Sequence, residues 1–182
     1  LAPLLAGYLL ARYQDGRLGL LLAAHVGAIT LGYTGSLLVG FLAICYVMRR
    51  PFRDLSSGQM QSLGNTVFTL TAVATVLTFT GVLLGCVWAK DHLGRYWGWD
   101  PKEMGGACVL AWDLAMLLLW RYGPTTGRIA LWLGILGNIV VSFAWFAGAP
   151  RPVFMALLVF GFLHIALFGL GFLPAGRCRR AV

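Results

Sequence analysis

Apolar positions in this chain come in long unbroken runs, not in the alternation of a half-buried strand, and short clusters of arginine, proline and glycine close most of them. Crossing a bilayer as a helix takes about 20 residues. Five runs meet that length: about Leu18 to Met48, Asn65 to Trp88, Pro101 to Trp120, Ile129 to Ala147 and Val153 to Leu173. A shorter run, Leu1 to Leu10, reads as the tail of a further helix, so the chain is expected to begin inside a larger protein. No charged leader precedes it, and no cleavable signal peptide is expected. The pattern predicts an all-α fold: a polytopic membrane helix bundle of about five full spans plus a partial N-terminal one. Residues 1–182 would form a single membrane domain with one aromatic loop over 89–103.

Composition agrees with the pattern, since 59% of residues are apolar and 11% are charged, against about 25% charge in soluble domains. The net charge of +8 does not point to nucleic acid. Its arginines and lysines sit in clusters between runs, where they act as topology signals and contacts to lipid headgroups. On this layout the clusters at Arg49–Arg53, Arg121–Arg128 and Arg177–Arg180 share one side with eight Lys and Arg. The other side has six, and there Lys90, Arg95 and Lys102 are balanced by Asp91, Asp100 and Glu103. The positive-inside rule then places the aromatic loop on the extracytoplasmic or lumenal face of a multi-pass membrane protein.

The spans carry some polar content. Thr71, Thr75 and Thr78 share one face at helical spacing, and Gly81 and Gly85 form a small-x-x-x-small pair. Both features predict close helix–helix packing, with hydroxyls bonded across or back to the backbone. The four cysteines, Cys45, Cys86, Cys108 and Cys178, form no C-x-x-C or C-x-x-C-H, which argues against a zinc site or covalent haem attachment to this chain. Cys86 and Cys108, near the two ends of the aromatic loop, would either pair or serve as small packing residues.

The densest chemistry lies in Gly94-Arg95-Tyr96-Trp97-Gly98-Trp99-Asp100-Pro101-Lys102-Glu103. Tyr96, Trp97 and Trp99 read either as an interfacial aromatic belt or as a flat platform for a large planar ligand. Asp100, Pro101 and Glu103 have the N-cap, N1 and N3 pattern of a capping box, which would fix the rings at the start of the next helix. His25 lies near the beginning of the first long run and His164 about eleven residues into the last, or roughly 16 Å along a helix.

Trp88-Ala89 together with Gly94 through Glu103 resembles the tryptophan-rich WWD signature of proteins that handle haem in cytochrome c maturation. The Tyr-Trp-x-Trp-Asp-Pro-Lys-Glu form is most similar to the CcsA (ResC) family, with CcmC and CcmF proteins further off. The resemblance implies a haem platform on the outer face, formed by Tyr96, Trp97, Trp99, Asp100 and Glu103. It implies axial ligation by flanking histidines and presentation of the porphyrin to the thiols of apocytochrome c, as a possible component of a holocytochrome c synthase. It also implies a CcsB (ResB)-like membrane partner. His25, in Ala24-His25-Val26 with Tyr33 further along, matches the family's first flanking histidine. The second has no counterpart in its usual setting, which Gly148-Ala149-Pro150-Arg151-Pro152 occupies here. His164 is then a candidate metal ligand, or else a hydrogen-bonding partner of a neighbouring helix, and His92 a lesser candidate. Leu93 stands where the signature's first tryptophan is usual. Arg95, Lys102 and Arg151 are candidate partners for the haem propionates. Two alternatives stay open: a cytochrome b-like haem or quinone electron-transfer subunit, which would need paired core histidines, and a transporter or structural subunit in which the aromatics are only a belt.

Overall fold

The computed structural model describes residues 16–52, 54–122 and 127–172. Every regular element among them is helical: α1 (Gly16–Arg49), α2 (Ser57–Leu93), α3 (Pro101–Tyr122), α4 (Gly127–Trp145) and α5 (Arg151–Leu170). Four of these, α1, α2, α3 and α5, are long and apolar enough to cross a membrane, while the apolar part of α4, Leu131–Trp145, is shorter. The expected partial helix at Leu1–Leu10 and the basic clusters at Arg12–Arg17 and Arg177–Arg180 fall mostly or wholly outside the described residues.

The ends of α2 are fixed by caps rather than by hydropathy. α2 starts eight residues before the apolar run because Ser56 and Gln59 form a reciprocal capping box. It continues past Trp88 to Leu93 and ends on Gly94, whose φ of 73° is left-handed and suits glycine. The non-helical aromatic segment is therefore 94–100, shorter than the 89–103 expected from sequence.

α1 is the central helix, packed along α2 on one side and α4 on the other; α3 closes against α2 and α4, and α5 lies mainly on α4. The α1–α2 seam is built from glycines. A Cβ at Gly81 would meet Ile29 at 2.6 Å and a Cβ at Gly85 would meet the His25 ring at 2.7 Å, so each position needs a bare backbone. Thr71, Thr75 and Thr78 are buried in this seam. Thr71 and Thr75 donate back to the carbonyls of Val67 and Thr71 at 2.9 and 2.7 Å, which is the back-bonding alternative of the sequence reading. Apolar packing follows in two clusters: Val39, Ala43, Tyr46, Val47, Val67, Leu131 and Ile135 at one end, and Tyr33, Val109, Val141 and Ala144 toward the other. Large side chains such as Phe41, Phe79, Leu118 and Phe162 point outward, as an apolar solvent permits.

Candidate functional site

The aromatic segment connects α2 to α3 and is fastened at its base. Asp100 Oδ1 accepts from the backbone amides of Lys102 and Glu103 at 2.9 and 3.0 Å, capping α3 as the sequence predicts. Glu103 does not reach back to the Asp100 amide to complete the box. Its carboxylate instead accepts from Arg95 Nη1 at 2.8 Å and from the Gly98 amide at 2.5 Å. The physical reason is the turn just before the cap. Trp99 has φ 59°, a left-handed value rare outside glycine, and the chain reverses there. Arg95 also approaches Asp100 Oδ2 at 3.6 Å, and a Cβ at Gly98 would fall on its guanidinium.

The electrostatics of the segment follow from this clasp. The Glu103 amide, helped by the Lys102 amide and the Arg95 guanidinium, holds the Asp100 carboxyl below the usual aspartate range. The hydrogen bond that Arg95 donates to Glu103 raises the guanidinium further above its already high value. Lys102 Nζ donates to the Trp145 carbonyl at 2.6 Å, tying the start of α3 to the end of α4. Lys90 lies over the Tyr96 ring, 5.4 Å from its centroid. Trp97 and Trp99 meet edge to face at 5.9 Å, while His92 stacks on Trp88 at 4.7 Å.

Beside this segment is a cavity of about 280 Å³ between α1, α2 and α3. Its walls include His25 and Ile29 from α1, Gly85, Cys86 and Trp88 from α2, Tyr96 and Trp97 from the loop, and Asp100, Lys102, Glu103 and Gly106 around the start of α3. His25, 71 positions before Tyr96 in the chain, is thus brought to the aromatic segment. Its Nδ1–H donates to the Gly81 carbonyl at 2.6 Å. A carbonyl only accepts, so that bond assigns the proton to Nδ1 and leaves Nε2 as a lone-pair donor suited to a metal.

The other expected site residues divide. Trp97, Asp100, Glu103 and Tyr96 line the cavity, whereas Trp99 is exposed on the outer side of the turn and Arg95 is absent from the lining. His164 is elsewhere: it is buried on α5, its Nδ1–H donating to the Phe160 carbonyl at 2.9 Å and its Nε2 lying 3.4 Å from Asn138 Nδ2. Both of its ring nitrogens already have protein partners, which is the helix-contact alternative for this residue. Cys45, Cys86 and Cys108 are free thiols, so the alternative pairing of Cys86 with Cys108 is not formed.

Asp113 was not singled out in the sequence. It is buried in the middle of α3 and accepts from Ser36 Oγ at 2.8 Å. The signal that could have found it is a carboxylate inside a membrane-length apolar run.

No solved structure matches the chain. Among curated proteins it is similar to the cytochrome c biogenesis protein CcsA of Synechococcus sp. (strain JA-3-3Ab), with 29% identity over 69% of this chain and 30% of that protein. It also resembles the CcsA of Guillardia theta, at 24% identity over 85% of this chain and 52% of that one. Protein NrfI of Wolinella succinogenes is 27% identical over 54% of this chain and 11% of its own length. The chain thus spans about half or less of the length of these relatives. Residues 11–149, which take in all of the cavity's walls, match the family model of the cytochrome C assembly protein, and the chain belongs to that family.

Proposed function

We propose that this chain binds haem at the aromatic cavity and presents it, on the extracytoplasmic face of the membrane, for attachment to apocytochrome c. The observation that carries the reading is that one cavity is lined by His25, whose Nδ1 is engaged by the Gly81 carbonyl, together with Trp88, Tyr96 and Trp97. Flat apolar rings suit a planar macrocycle. An imidazole oriented through its other nitrogen suits its iron.

Each residue has a part in the cargo's handling. Gly85 leaves the space in which the His25 ring packs, and Gly81 supplies the carbonyl that sets the ring's tautomer. The clasp of Arg95, Asp100 and Glu103 holds the loop so that the rings keep their height above α3. Haem supplies vinyl groups and the acceptor cytochrome supplies thiols. The chain's contribution is proximity and exclusion of water, within an assembly that includes a CcsB-like subunit and could act as a holocytochrome c synthase. Membrane lipids surround its exposed apolar faces.

The cytochrome b-like alternative needs two histidines facing one haem. His25 and His164 do not share a cavity, and nothing observed favours that reading. The test is the absorption spectrum of the detergent-purified chain, oxidised and reduced, with His25→Ala and Trp97→Ala beside it. A haem band that shifts or disappears with His25→Ala and weakens with Trp97→Ala supports the proposal. Wild-type protein that takes up no supplied haem sinks it.

A further inference from the structure

At the end of the bundle remote from the aromatic segment, α1 and α2 part to leave a groove of about 470 Å³. Leu42, Cys45 and Arg49 line it from the last turns of α1, and Gln59, Ser62 and Leu63 from the first turns of α2. Residues three, four and seven apart share one face of a helix, so each wall is a single stripe. From Leu42 to Arg49 that stripe runs roughly 10 Å along the axis. Arg49 and Gln59 stand nearest the connection between the two helices and Leu42 and Leu63 further from it; the first two are exposed and the leucines half-buried. Both helices are long and apolar enough to cross a membrane, so the groove has a polar mouth at the membrane boundary and an apolar floor within it.

The groups at the mouth are donors. Gln59 Oε1 is occupied, accepting from the Ser56 amide at 3.1 Å, which leaves the Nε2 hydrogens to give. Ser62 adds a hydroxyl. Among the described residues no carboxylate forms an ion pair with Arg49. Asp54, the carboxylate nearest to it in sequence, accepts from the Tyr46 hydroxyl at 3.3 Å and the Leu55 amide at 2.9 Å. Arg50 is turned away to the Gly171 carbonyl and the Trp132 ring. A guanidinium beside further donors suits a phosphate, which accepts parallel hydrogen bonds. A choline or ethanolamine headgroup would bring a second cation toward Arg49, and an acidic one does not.

We propose that this groove binds one acidic glycerophospholipid, its phosphate on Arg49 and Gln59 and an acyl chain along Leu42, Cys45 and Leu63. The site stands apart from the haem reading. A lipid seated there ties α1 to α2 at the end opposite His25 and Gly81.

Cys45, an exposed free thiol in the wall, reports occupancy. The full purified chain in dodecyl maltoside micelles is treated with N-ethylmaleimide while phosphatidylglycerol, phosphatidylcholine or inorganic phosphate is added. Peptide mass spectrometry follows alkylation of Cys45 and of Cys108, an exposed thiol on α3. Phosphatidylglycerol is expected to slow the reaction of Cys45 and leave Cys108 unchanged, with phosphatidylcholine and inorganic phosphate without effect. Arg49→Gln is expected to raise the phosphatidylglycerol needed for half protection about tenfold. Arg121→Gln, which removes the same charge from an exposed position on α3, should leave it in place. Helical circular dichroism and monodisperse elution certify that each variant is folded. Wild-type Cys45 that phosphatidylglycerol does not protect overturns the site. So does equal protection by phosphatidylcholine, equal protection of Cys108, or a loss in Arg121→Gln as large as in Arg49→Gln, since each reduces the effect to the micelle surface. Protection by inorganic phosphate at the same concentration makes the groove a free-anion site and overturns the lipid assignment.

Discussion

Gly85 is the residue on which the site's geometry most directly depends. A methyl group there would come within 2.7–2.8 Å of Cε1 and Nδ1 of His25, and the ring is not a flexible chain end that swings aside. Gly85→Ala is therefore expected to cost about 1–3 kcal/mol of stability and to shift the haem spectrum of the protein that still folds, as read by thermal melting and absorption. Asp100 offers a second test, in pH. Its folded pKa is depressed, so the stability it contributes is present above the unfolded value, about 3.9, and is lost as pH falls through the lower folded value. Tryptophan fluorescence of the loop should stay constant from pH 7 to about 5 and change only well below 4. Asp100→Asn should diminish that acid transition. The sequence foretold the Asp100 cap because capping is local. It missed where Glu103 goes, because the Trp99 turn brings the Gly98 amide and Arg95 to that carboxylate, and no spacing rule encodes a left-handed tryptophan.

Among the elements, α2 and α3 illustrate what hydropathy does and does not reveal. The membrane-length core of α2 was legible, yet its ends were set by Ser56 and Gly94, which a search for apolar runs passes over. The Thr and Gly positions of α2 were legible as a packing seam, but not that the seam faces α1 or that a histidine fills one of its gaps. Such pairing lies between residues 56 apart, His25 and Gly81, and only the tertiary fold brings them together. α3 carries Asp113, whose side chain is fixed to α1 through Ser36. Ser36→Ala leaves that buried carboxyl without its donor, and a destabilisation of about 1–3 kcal/mol is expected. Asp113→Asn, whose amide carbonyl still accepts from Ser36, should lose less; reversible unfolding in mixed micelles checks both.

At the scale of the whole molecule, the bundle has two dissimilar ends. One carries the aromatic cavity and its clasp; the other carries Arg49 and Arg50, with Arg50 Nη1 donating to the Gly171 carbonyl and its guanidinium 5.5 Å from the Trp132 ring. Part of the positive charge at that end is therefore built into helix packing. If the basic end faces the cytoplasm, Lys90→Cys in a background lacking native cysteines should react with a membrane-impermeant maleimide from outside intact cells. Phe52→Cys should react only after permeabilisation, and the reverse pattern would invert the proposed topology. α1 and α2, of 34 and 37 residues, are about 51 and 55 Å long, well beyond a hydrocarbon core of about 30 Å. Helices of that length accommodate bilayer thickness by tilting. His25 belongs to one of them and the carbonyl that orients it to the other, so any change in their relative tilt would turn the imidazole. On the haem reading, acyl-chain length would then act on iron ligation: the same protein reconstituted in thin and thick bilayers would aim its histidine differently, with no side chain altered.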